Sequence, residues 1–211
     1  MIVTRRGALV LTGLALAGCA APIPGDGPSG GPEVGPDESD KLSFAAGAEG
    51  QSAKIAAVEQ AILALGPVVA PDEAAAVARI AVVEPLNWAR DWDAVDPPLI
   101  HNIAVNTGVK PRGLCKHWAD DLEARLRQEG LQSLSLHRAI ANADNLRIEH
   151  STVIVSTRGA AMDTGLVLDP WRMGQGRLWF GRVVEDPKYR WVPRAEVFAM
   201  KRARRARRDG L

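Results

Sequence analysis

The hydrophobic period of this chain changes once, at Gly130, and that change limits what the chain can fold into. Before it, apolar residues recur at helical spacing; after it, they alternate. Ile55, Val58, Ile62 and Leu65 form the first helical stripe, from an ordered start near Ser52 to the Gly66-Pro67 stop. Pro71-Asp72-Glu73 opens a second helix, with acids where the helix dipole favours them. Val77 and Ile80 continue its stripe, Pro85 is expected to end or kink it, and Asn87 to Trp92 reads as a further helical piece. Pro97-Pro98 begins a short helix through Asn106, broken by Gly108 and Pro111. Leu114, Trp118, Leu122 and Leu126 lie four apart on a helix running to about Glu129, with Gly130 as its stop.

Beyond Gly130, Leu134, Leu136 and Ala139-Ile140 read as a strand. In the next strand Ile148, His150, Thr152 and Ile154 share one face, with Val153 and Val155 on the other. Arg158-Gly159 begins a turn, and Leu166-Val167-Leu168 forms a third strand ending at Asp169-Pro170. Leu178 to Val184 and Tyr189 to Val192 read as a fourth and a fifth. No internal repeat interrupts this order.

The N-terminus reads as an export signal. Arg5-Arg6 is a short basic region, and the apolar run Gly7 to Leu16 falls short of the about 20 residues that a spanning helix needs. Leu16-Ala17-Gly18-Cys19 resembles the lipobox of bacterial lipoproteins, which implies a signal peptide over 1–18 and acylation of Cys19. Ordinary cleavage near Ala21 is the competing reading, and both general secretory and twin-arginine export are open. Two acyl chains anchor stably where one would not. Ala20 replaces the Asp that commonly retains such lipoproteins in the inner membrane, so the expected place is the outer membrane, facing the periplasm. The expected organisation is a lipidated cysteine and linker over 19–48, a domain over 49–200 and a basic tail over 201–211. Within the linker, residues 22–40 are rich in Pro and Gly and hold little that could form a core. Removing Arg5 and Arg6 from 26 basic residues leaves 24 against 25 acids, a formal charge of −1. That balance argues against a general nucleic-acid binder. The tail, Lys201 to Arg208, reads mainly as a solvated helix, with contact to anionic lipid or polymer as the alternative.

If Cys19 is acylated, Cys115 has no disulfide partner. A lone exported thiol is either a buried packing residue or a nucleophile. Three features favour the nucleophile. Cys115 opens its helix after a Gly- and Pro-containing loop, where the dipole and unpaired N–H groups favour a thiolate. The same N–H groups, that of Cys115 first, can stabilise an oxyanion. Lastly, His150 begins one strand and Asp169 ends the next. In an antiparallel hairpin with its turn centred between Gly159 and Ala160, the two stand directly opposed on one face. A slip of one residue would separate them. Asp169 would then orient His150, which would take the Cys115 proton. Taken singly, Asp169 is equally a turn residue and His150 equally a packed histidine.

Gly113-Leu114-Cys115, with Trp118-Ala119, Leu122, Leu126 and Gly130, resembles the cysteine motif of the transglutaminase-like superfamily. His150 resembles the histidine of that family, and Val167-Leu168-Asp169-Pro170 its hydrophobic-Asp-Pro motif. The likeness covers residues 105–195. It implies an α+β fold of papain-like type, with helices packed on an antiparallel sheet and the cysteine at a helix N-terminus. It also implies thiol chemistry on amides, by peptide hydrolysis, deamidation or acyl transfer, with no metal and no cofactor. Ser151-Thr152 after His150 and Lys116 after Cys115 depart from many relatives and leave the substrate class open.

Other residues weigh less. A zinc site built from Cys115, His117, His150 and Asp169 is the minor alternative, because positions two apart on a helix point in different directions. His101 and His137 read as surface or packing residues, Trp171, Trp179 and Trp191 as core or cleft wall, and Arg172 as a surface arginine, with orientation of a substrate carboxylate as its alternative. Asp120-Asp121 with Arg125 and Arg127 reads as a solvated helix face. Asn87, Trp88 and Asn106 are candidates for a second oxyanion donor. The expected function is a membrane-tethered cysteine amidase or peptidase, with a protein, a peptide or a peptidoglycan stem peptide as substrate. The competing function is a catalytically silent lipoprotein that serves as a binding or envelope-assembly module.

Overall fold

A computed structural model describes residues 38–145 and 148–210, and the side chains of residues 38–46 are not described. The expected signal peptide, Cys19 and most of the linker lie outside the described residues. Four helices precede the sheet: α1 (Glu38–Leu63), α2 (Pro71–Asp91), α3 (Pro98–Asn106) and α4 (Cys115–Arg127). Five strands follow: β1 (Leu134–Ala141), β2 (His150–Thr157), β3 (Leu166–Asp169), β4 (Trp179–Arg182) and β5 (Val192–Pro193). The last helix is α5 (Arg194–Arg208). The protein is therefore α+β, with one antiparallel sheet in the order β4-β3-β2-β1-β5.

β2 is central and buried along nearly its whole length. Its two faces serve different layers. Val153 and Val155 join Val58 and Ile62 of α1, Val77 and Ala81 of α2, and Leu122 and Leu126 of α4 in the main core. Ile154, on the other face, packs with Ala139, Val167 and Trp191 in a second, smaller cluster. Burial of Leu122 and Leu126 alone holds α4 by about 1.5–3 kcal/mol each. That grip matters because α4 carries Cys115 as its first residue.

Four differences from the sequence reading have physical causes. α1 starts at Glu38, so residues 38–48 are helical and not linker. Pro36 is the last proline before Pro67, and the Ala-rich stretch between them favours helix. Pro85 neither ends nor breaks α2, which runs on to Asp91. It removes one backbone donor, whereas burial of Ala89 and Trp92 beyond it holds the final turns. The fourth strand stops at Arg182 and passes into a 3₁₀ turn at Val183–Glu185, and the fifth starts only at Val192. Tyr189 and Trp191 turn inward instead. Finally, residues 201–208 are not a separate tail but continue α5, where Lys201 pairs with Glu149 and Arg204 with Asp144. Among the described residues no helix is long and apolar enough to cross a membrane.

Candidate active site

The start of α4 and the start of β2 meet, and they bring Cys115 beside His150. The loop before Cys115 is pinned from three sides. The Nδ1 of His117 accepts the N–H groups of Gly113 and Leu114, at 3.2 and 3.3 Å, and so caps its own helix. Trp118 Nε1–H donates to the Gly113 carbonyl at 2.8 Å. His101 is buried against Gly113; its Nε2 bonds the Arg112 carbonyl at 2.8 Å and its Nδ1 accepts from Val95 N–H at 3.3 Å. The Val95 donor fixes the tautomer with Nε2 protonated. Gly113 adopts φ +122, with room for no side chain, since a Cβ would lie 2.0 Å from the His101 Nε2.

His150 and Asp169 do meet, though not as directly opposed residues. The pairing of Val153 with Leu168 and of Val155 with Leu166 sets Asp169 diagonally across from His150. The register is displaced by two residues from the symmetric turn, so the side chains keep a common face. Gly165 permits this path, because a Cβ there would lie 2.6 Å from the Val155 carbonyl oxygen. The imidazole bridges the longer diagonal, and Nε2 lies 2.7 Å from the Asp169 Oδ2.

Both groups are buried, His150 at 2% exposed and Asp169 at 0%. Trp171 and Tyr189 tilt against the imidazole at 4.7 Å between ring centres, and Trp191 at 5.4 Å. Burial by itself would lower the basicity of His150. The Asp169 carboxylate, with a smaller contribution from Cys115, reverses this and raises its pKa to about 9. Asp169 is pushed up by burial and pulled down further by His150 and Arg172, so its carboxyl stays below its usual range. The second imidazole nitrogen, Nδ1, is buried with no hydrogen-bond partner among the described residues. Cys115 lies within electrostatic reach of the ring, but its thiol points at the Glu149 carbonyl, 3.7 Å away. The pair is thus adjacent, and its interaction adds to the raised basicity of His150. An orphaned nitrogen at such a place is ready to exchange a proton with the sulfur.

Arg172 is not a surface residue: its side chain is 6% exposed. Its Nε donates to Asp169 Oδ2 at 3.0 Å, and its two terminal nitrogens grip both oxygens of Asp186 at 3.1 and 2.7 Å. The guanidinium also stacks 3.5 Å from the centre of the Trp179 ring. Asp186 is further held by Trp191 Nε1–H at 2.8 Å. Asp169 Oδ1 accepts the backbone N–H groups of Trp171 and Arg172, at 3.2 and 3.1 Å. Every acceptor site that Asp169 offers is therefore occupied, and its carboxylate cannot rotate away from His150. The sequence reading missed Arg172 and Asp186 in this role. The signal lay in Asp169-Pro170-Trp171-Arg172, an Asx-type turn that returns an arginine to its own aspartate.

Cys115 and His150 line an open cleft of about 470 Å³, whose wall includes Leu99, Asn102, Ile148 and Tyr189. Cavities of similar volume lie elsewhere on the surface; this one is distinguished by a thiol and an imidazole in its lining. The zinc alternative finds no support in the geometry. His117 turns to the Gly113–Leu114 backbone, and among the described residues no three His, Cys, Asp or Glu side chains are grouped to hold a metal ion. Asn87 pairs with Arg90, Trp88 stacks on Trp92, and neither lines the cleft. Asn106, at the far end of α3, does not line it either. The Asp120-Asp121 face is not simply solvated, because Asp120 neutralises the buried Arg138 and Asp121 pairs with Arg112. Compared with family models, with curated proteins and with solved structures, the chain matches none.

Proposed function

We propose that this protein is a cysteine amidase or peptidase of papain-like, transglutaminase-like fold, tethered to the bacterial envelope through acylated Cys19. The observation that carries the reading is one imidazole with two unlike nitrogens. Nε2 of His150 is bound to a fixed carboxylate, and Nδ1 is left unpaired beside the Cys115 sulfur. The basicity of His150 keeps its proton on the ring at neutral pH, and the form that attacks is the Cys115 thiolate. Cys115 Sγ attacks an amide carbonyl carbon, and the C–O π electrons move to oxygen. The backbone N–H of Cys115, which donates to no group among the described residues, faces this charge at the start of α4. As the oxyanion collapses, the C–N bond breaks, and the Nδ1–H of His150 protonates the departing amine. A thioester remains. Neutral His150 then removes a proton from water or a second amine, which displaces the sulfur and gives an acid or a new amide.

Reaction of the chain with iodoacetamide near neutral pH tests this reading. Cys115, followed by mass spectrometry of its peptide, should be alkylated roughly tenfold faster than a free peptide cysteine. His150→Ala should return it to the free rate. Should Cys115 prove no faster and His150→Ala change nothing, the chain is a silent binding or envelope-assembly module that keeps the fold.

A further inference from the structure

A tetrahedral oxyanion needs a second donor besides the Cys115 N–H, and α3 offers one. Asn102 is half-buried on the wall of the cleft that holds Cys115 and His150. Its orientation is fixed by Trp171, whose Nε1–H donates to Asn102 Oδ1 at 3.2 Å. An indole N–H can only donate, so the carbonyl end of the amide must face Trp171. The amide nitrogen is thereby turned away from Trp171, and it donates to no group among the described residues. The geometry of α3 reinforces the placement. Its adjacent His101 is buried and bonded to the Arg112 carbonyl, so the helix that carries Asn102 is tied to the loop that leads into Cys115. The same Trp171 ring packs on His150 at 4.7 Å. One indole therefore sets both the general base and the amide.

We infer that the side-chain amide of Asn102 is the second oxyanion donor, binding the developing carbonyl oxygen together with the Cys115 N–H. This rests on the thiol chemistry proposed above, and its test separates the two. Two reagents are applied to the full chain, with Cys115→Ala as the blank. Iodoacetamide alkylates the sulfur by direct displacement and creates no oxyanion. p-Nitrophenyl acetate acylates the same sulfur through a tetrahedral oxyanion and releases p-nitrophenolate. Asn102→Ala should slow acylation by about 10²–10³ and leave alkylation within a factor of about two of the native rate. Asn102→Asp keeps an acceptor for Trp171 but carries no N–H and adds a negative charge. It should lose at least as much acylation as Asn102→Ala.

If Asn102→Asp acylates at the native rate, Asn102 only receives the Trp171 bond and the inference is overturned. Loss of alkylation and acylation in equal measure in both variants overturns it too, since the effect would then lie in the nucleophile. A native chain that reacts with neither reagent faster than a free cysteine removes the thiol reading itself, and the role of Asn102 with it.

Discussion

Asp169→Asn should lower turnover of any amide or ester substrate by on the order of 10³–10⁴ while leaving Cys115 in place. The size of the effect follows from where the four hydrogen bonds of Asp169 go. Oδ2 accepts from His150 Nε2 and Arg172 Nε, and Oδ1 accepts from the backbone N–H groups of Trp171 and Arg172. All four partners are donors. An asparagine offers one oxygen and one NH₂ group, so in either orientation an NH₂ meets two donors. If it faces His150, the ring must move its proton to Nδ1, where the lone pair for the Cys115 proton belongs. If it faces the backbone, the Asx-type turn that presents Trp171 and Arg172 is broken. The charge is lost as well, and with it the main reason that the pKa of His150 stands at about 9. In the native protein amide turnover should fall as pH rises through about 9, because His150 then loses the proton that the proposed reaction gives to the leaving amine. In the variant that limb should move toward acid.

Stability should follow the same charges. Breaking a buried pair of this kind costs about 3–5 kcal/mol. The raised pKa of His150 contributes stability that is full below 6.5 and is lost as pH climbs through about 9. The lowered pKa of Asp169 contributes stability that is present above 3.8 and is lost as pH falls through its folded value. The gap in melting temperature between the native chain and Asp169→Asn should therefore be widest between these limits and narrow on both sides. Thermal unfolding from pH 3 to pH 10 measures it. A constant gap would mean that the His150–Asp169 charge pair contributes nothing.

Much of this site could be read before any coordinates, because parity is robust where register is not. The alternation along His150, Thr152 and Ile154 and the strand end at Asp169 assign both side chains to one face. The length of the turn could not be read, since Gly165 and the 3₁₀ turn at Met162–Thr164 act through close packing that leaves no periodic trace. An even shift preserved the pairing; an odd one would have removed it. The switch of period at Gly130 likewise located helices and sheet. It could not say that α1 begins at Glu38, because the large apolar residues there, Leu42 and Phe44, stand two apart and not at helical spacing.

What escaped the sequence entirely are contacts between distant segments. Arg172 and Asp186 lock Asp169, His101 reaches across to Gly113, and Asn102 meets Trp171. Each is an ordinary polar residue by composition, and only the fold shows which partners it meets. His117 is the exception. A side-chain acceptor in the first turn, reaching back to the residue before its helix, is a capping pattern, with an imidazole in the place that a Glu or Gln more often holds.

Gly113→Ala is expected to be the most damaging small change near Cys115, and His101 is the reason. The new Cβ would lie 2.0 Å from the His101 Nε2, at a φ of +122 that alanine avoids. Strain at such a φ costs of order 1–3 kcal/mol, and crowding a packed site costs about 1–3 kcal/mol more. His101 is buried and cannot swing clear without losing its bonds to Val95 and Arg112. The remaining way out is for the loop to move, and Cys115 moves with it. A displacement of about 1 Å at the nucleophile is enough to cost on the order of 10² in rate. Gly113→Ala should thus lower both the melting temperature and the acylation rate of Cys115, although residue 113 touches no substrate. His101→Ala alone should cost about 0.5–1.5 kcal/mol for each of the two part-buried bonds it removes, to the Val95 N–H and the Arg112 carbonyl. Combined, the two changes should cost less than their sum, because removal of the ring makes room for the Cβ. The coupling expected for residues in contact is 0.5–3 kcal/mol. Strict additivity in a double-mutant cycle would show that backbone strain at Gly113 acts alone. The wall that His101 builds behind Cys115 would then play no part in holding the nucleophile.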